Sequence, residues 1–107
     1  MPTDPVLASL HFRVEMAGAA AEQAIAFLSQ REVLRGRMAV QSVVFNLTAA
    51  ASRLRASGQY PDQLSYVEKL IQFYAAKMSA VMRPAVGPAI AAELAANQAN
   101  LLAAAPI

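Results

Sequence analysis

Cysteine is absent from this chain of 107 residues. Its absence excludes a disulfide framework, a thiolate metal site and a cysteine nucleophile. Histidine occurs once, at His11, and one imidazole does not complete a zinc or di-iron site. The carboxylates Asp4, Glu15, Glu22, Glu32, Asp62, Glu68 and Glu93 are scattered along the sequence. None stands in the Glu-x-x-His spacing that metal sites of helical bundles use. His11 has no evident acidic neighbour to orient its ring as a base. Neither a glycine-rich phosphate loop nor a Gly-x-Ser-x-Gly turn occurs. The tyrosines Tyr60, Tyr66 and Tyr74 stand at spacings typical of packed residues with a bonded hydroxyl. The expectation is a chain that is not an enzyme and takes no metal or cofactor.

Charge is also scarce, at 15% of residues against about 25% in a typical globular domain. Long apolar runs are missing as well. The longest uncharged stretch, 38–52, is interrupted by Gln41, Ser42, Asn46 and Thr48, short of a spanning helix. The N-terminal stretch has no basic leader pattern and meets Arg13 too early for a secretory core. A cytoplasmic protein is expected.

What is present is alanine and aliphatic bulk, with 57% hydrophobic residues. Alanine forms helix readily and lets helices approach closely, but each residue buries little. Larger side chains must supply most of the core, and few charges remain to cover the outside. Either the surface is an inert alanine coat, or part of it meets another protein chain or a second copy, a homo-oligomer.

The length suits one domain, residues 1–107, with loose ends at 1–4 and 103–107. Asp4-Pro5 reads as a helix start, an N-cap followed by proline at the first helical position. Leu7, Leu10, Val14, Ala17, Ala21, Ile25 and Leu28 then recur at steps of three and four. A competing signal runs through 10–16, where apolar and polar residues alternate as in a strand. Such a strand would need an edge from another chain. Gly18 marks either a bend or a join between strand and helix.

A second helix is expected from Arg31 to Ser57, its buried stripe carried by Val33, Val40, Val44, Leu47, Ala51 and Leu54. Gly36 holds a turn there or lies inside one rod. Gly58 supplies the left-handed residue past the last turn, and Pro61 opens the next helix. Leu64, Val67, Ile71, Tyr74, Met78 and Val81 follow with heptad spacing, and Pro84 stops the helix. Pro88 opens a last, alanine-rich helix whose one charge is Glu93; a helix so poor in large side chains needs a docking surface to stay folded. The fold class predicted is all-α, a small antiparallel bundle of about four helices.

Three binding readings follow. In the first, an adaptor or export-chaperone-like module takes an amphipathic partner segment on its third and last helices, with anchors Tyr66, Phe73, Tyr74, Met78 and Met82. Methionines, Met16 and Met38 among them, suit either an adaptable groove or gaps in a core. In the second, Arg31, Arg35, Arg37, Arg53 and Arg55, with only Glu32 nearby, contact phosphates in a small dimeric nucleic-acid-binding regulator. A solvated arginine face explains the same residues. In the third, the chain is a structural subunit docked through its last helix.

The rhythm of Ala24-Ile-Ala-Phe-Leu28, Phe45-Asn-Leu-Thr48 and Leu64-Ser-Tyr-Val-Glu-Lys-Leu70 resembles flagellin-export chaperones over about half the chain. That resemblance implies a helical bundle that binds protein. It brings no diagnostic motif, the family's N-terminal segment is not matched, and no residue role carries over.

Overall fold

The computed structural model describes residues 4–105. Asp4 opens the first helix as its chemistry dictates: its carboxylate accepts the Val6 backbone N–H at 2.8 Å, and Pro5 takes the first helical position. This helix, α1, runs Pro5–Ser29 without a break. Residues 10–16 are therefore helix, and the expected strand is not formed; no strand occurs among the described residues. Leu10, Val14 and Ala17 face the core while His11, Phe12, Glu15 and Met16 stay outside. The apparent alternation mixed one inward helical stripe with two outward apolar residues. Gly18 sits buried inside α1 at its contact with the last helix.

The second helix, α2, spans Val33–Ser57 and starts two residues later than expected. Arg31 adopts a left-handed φ of 62°, so the turn lies at 30–32 and Arg31 is outside the helix. Gly36 is within α2, not at the turn. Gly58 ends α2 at φ 66°, its N–H bonded to the Leu54 carbonyl, the left-handed stop that only glycine adopts without cost. The third helix, α3, spans Pro61–Ala80; a short 3-10 turn at Pro84–Val86 leads into the fourth, α4, over Gly87–Leu102.

Each neighbouring pair runs antiparallel. Arg13 meets Asn46 while Leu28 meets Gly36, which fixes α1 against α2. Gly18 meets Leu102 while Leu28 meets Gly87, which fixes α4 against the second half of α1. Tyr66 reaches Asn100 and Lys77 reaches Glu93, closing α3 onto α4 through side chains. The product is an elongated four-helix bundle, 47 × 22 × 19 Å. Its core takes Leu10, Val14 and Leu28 from α1, Val40, Leu47 and Leu54 from α2, Val67 and Tyr74 from α3, and Leu94 and Leu101 from α4. Alanines of both α1 and α2 are buried in the same core.

Of the ends expected to be loose, 1–3 and 106–107 lie outside the described residues. Within the described part, Asp4 is fixed by its cap and Ala104 is buried. No helix among the described residues is long and apolar enough to cross a membrane.

Candidate functional site

Two helical stripes lie side by side on the outer face of α1 and α2. On α1, Phe12, Met16, Ala19, Gln23 and Phe27 recur at steps of three and four; on α2, Leu34, Met38, Ser42 and Phe45 do the same. Phe12 is 54% exposed, Met38 61% and Phe45 65%. Met16 and Leu34 are exposed as well, and Phe27 is half-buried.

Arginines knit the stripes together. The Arg13 guanidinium lies 5.6 Å from the Phe12 ring centre and 6.0 Å from that of Phe45, one cation between two aromatic faces. Its Nη1 donates to Asn46 Oδ1 at 3.1 Å, and Asn46 Nδ2 donates to the Ser42 carbonyl at 2.9 Å. Asn46 is the one buried polar residue described, and both bonds are what make its burial tolerable. At the other end Arg35 stacks over Phe27 at 5.8 Å. An open groove there is lined by Gln23, Phe27, Arg35, Met38 and Ser42.

The residues picked as partner anchors do not form one surface. Tyr74 is fully buried; it packs edge-on against Phe73 at 5.1 Å and accepts a hydrogen bond from Asn97 Nδ2 at 3.1 Å. Burial raises its phenol above the ordinary value of 10.0. It is core, so it cannot serve as an anchor while the bundle is folded. Tyr66 is 38% exposed and gives its hydroxyl proton to the Asn100 carbonyl at 2.7 Å. Phe73 and Met78 are half-buried against the core, with Lys77 over the Phe73 ring at 5.0 Å. Met82 is 67% exposed beyond the far end of α3. A shallow groove between α3 and α4, lined by Phe73, Lys77, Glu93, Ala96 and Asn97, is what remains of the expected site.

The arginines of the phosphate reading also separate. Arg31 lies in the turn, so it does not share a helical face with Arg35. Arg37 and Arg55 share one side of α2, and Arg35 and Arg53 another, since each pair is eighteen positions, or five turns, apart. Arg55 pairs with Glu68 at 3.1 Å. Arg53 acts on Asp4, whose carboxyl the Tyr60 hydroxyl, first, and then the Val6 N–H hold below the ordinary value of 3.8. The cation that joins the Arg35 side is Arg13, which the sequence reading did not single out.

His11 does have an acidic neighbour. Glu15, one helical turn on, stands 2.9 Å from its Nε2, an i,i+4 pair hidden by the strand reading of 10–16. Both side chains are exposed on an open helix surface. Phe12, Arg13, Phe45 and Asn46 were missed because their grouping exists only once α1 pairs with α2. No family model, curated protein or solved structure matches this chain.

Proposed function

We propose that the chain is a non-enzymatic, cytoplasmic protein-binding module, adaptor or chaperone-like in kind, that docks a partner helix on the outer face of α1 and α2. The observation that carries this reading is the gathering of Phe12, Met16, Leu34, Met38 and Phe45 on adjoining stripes of two antiparallel helices. Scattered exposed apolar residues are ordinary; a contiguous set costs solubility unless another chain covers it. The open groove at Gln23, Phe27, Arg35 and Met38 begins a furrow between the two stripes, and an amphipathic helix laid along it would be anchored at every third or fourth residue. Aromatic and methionine side chains supply contact area and adapt to the partner. The His11–Glu15 pair has both side chains exposed to solvent on α1.

The test is calorimetry with a synthetic leucine-striped helical peptide. Binding with a negative heat-capacity change is expected, lost in Phe45→Glu while thermal unfolding stays within about 0.5 kcal/mol of the parent. Binding that survives Phe45→Glu and disappears in Phe73→Ala would move the site to the groove between α3 and α4.

A further inference from the structure

We infer that the occupant of the α1–α2 face is an acidic amphipathic helix, with two carboxylates about three turns apart flanking its apolar stripe. This rests on the docking face proposed above and adds the partner's charge and spacing. Helix α2 contains no acidic residue at all. On α1 the acids are Glu15 and Glu22: Glu22 lies four positions from Gly18, which faces α4, while Glu15, one turn from both Phe12 and Ala19, borders the stripe and is paired with His11 at 2.9 Å. The stripe of Phe12, Met16, Ala19, Gln23 and Phe27 lies on the α2 side of both acids. Glu32, in the turn, forms no ion pair with Arg35 among the described residues. Within the span from Leu34 to Phe45 the charges left on the face are Arg13 and Arg35, neither of them in an ion pair among the described residues; Arg53, on the Arg35 side of α2, lies about two turns past Phe45, beside Asp4.

Their geometry sets the spacing. Arg13 is tied to Asn46, and Asn46 and Arg35 are eleven positions apart on α2. At about 1.5 Å per residue the two cations lie roughly 16 Å apart along the furrow. Eleven residues is close to three whole turns, so a partner helix presents carboxylates at i and i+11 on one side. Each guanidinium is held over phenylalanine rings, Arg13 over Phe12 and Phe45 and Arg35 over Phe27. Less side-chain freedom is therefore lost when a carboxylate pairs with it. A second copy of the chain fits less well, because it would bring the same arginines and, as the acid nearest the contact, only Glu15, which His11 already pairs.

The experiment uses the full chain and two synthetic helical peptides of about five turns, each with the same leucine stripe. One carries glutamates at i and i+11, its twin lysines there. Fluorescence anisotropy at low salt should show the acidic peptide binding about tenfold tighter. The preference should shrink as salt is added and vanish in Arg13→Gln/Arg35→Gln, with the apolar part of the affinity kept. Equal binding of both peptides, with both lost in Phe45→Glu, would overturn the acidic partner and leave the docking face standing. Binding of neither peptide would overturn both. Light scattering showing a dimer that Phe45→Glu dissociates would assign the face to a second copy, and duplex DNA binding lost in the arginine double variant would assign it to phosphates; either result contradicts the inference.

Discussion

The Leu28 side chain fills the space where a Cβ at Gly36 would stand: its Cδ2 lies 2.3 Å, and its Cγ 2.7 Å, from that position. The same residue, through its backbone carbonyl, comes within 2.5 Å of a Cβ placed at Gly87. Leu28 is thus the point where the end of α1 meets the starts of α2 and α4. Glycine is required at 36 and 87 by space, not by backbone dihedral.

Replacing either glycine reverses a familiar sign. In an open helix Gly→Ala stabilises by roughly 0.5–1 kcal/mol. Here Gly36→Ala is expected to destabilise by about 1–3 kcal/mol through overpacking. Gly87→Ala should cost more, because a backbone carbonyl cannot swing away as a leucine methyl can. Urea denaturation midpoints measure both, and a Gly36→Ala protein more stable than the parent would contradict the packing described.

Tyr74 and Met82 separate core from surface. Tyr74→Ala should destabilise by about 3–5 kcal/mol, as for other large buried aromatics. Tyr74→Phe should cost about 1 kcal/mol, the net worth of the hydrogen bond from Asn97. Met82→Glu should change stability by less than about 0.5 kcal/mol. Thermal denaturation of the three variants decides the matter, and a well-folded Tyr74→Ala would place that ring outside the core.

Acid should loosen the join between the chain's start and α3. The Tyr60 hydroxyl donates to the Asp4 carboxylate, which lowers the Asp4 pKa below 3.8 and raises that of Tyr60 above 10.0. A carboxyl depressed in the folded state adds stability above its unfolded value and loses it as pH falls through the folded value. A tyrosine raised in the folded state adds stability below its unfolded value and loses it as pH rises through the folded one. Tyr60→Phe should therefore flatten the stability profile at both extremes. Denaturation curves taken across pH would show this, and an unaltered profile would mean that the contact is not held in solution.

Much of the fold was legible because its signals are local. Asp4-Pro5, Gly58 and Pro61 act through their own backbone and nearest neighbours, and each bounds a helix where expected. The stretch 10–16 misled because Phe12 and Met16, apolar yet outward, complete an alternation with Leu10 and Val14. Arg31 misplaced a boundary by taking a left-handed dihedral that nothing in its residue type announces. The site was less legible still. Tyr66 and Tyr74 look alike in sequence, and only the position of α4 makes one a rim residue and the other core. Arg13 gains its role from Phe45 and Asn46, more than thirty positions away, through a pairing of α1 with α2 that no short motif records.

The central claim is that α1 and α2, and not α3, present the docking face, and the methionine methyls report on both sites at once. With methyl-labelled methionine, titration of the acidic leucine-striped peptide should shift and broaden the signals of Met16 and Met38. Those of Met78 and Met82 should stay in place. Movement of Met78 and Met82 with Met16 and Met38 unmoved would contradict the account and return the binding surface to the third helix.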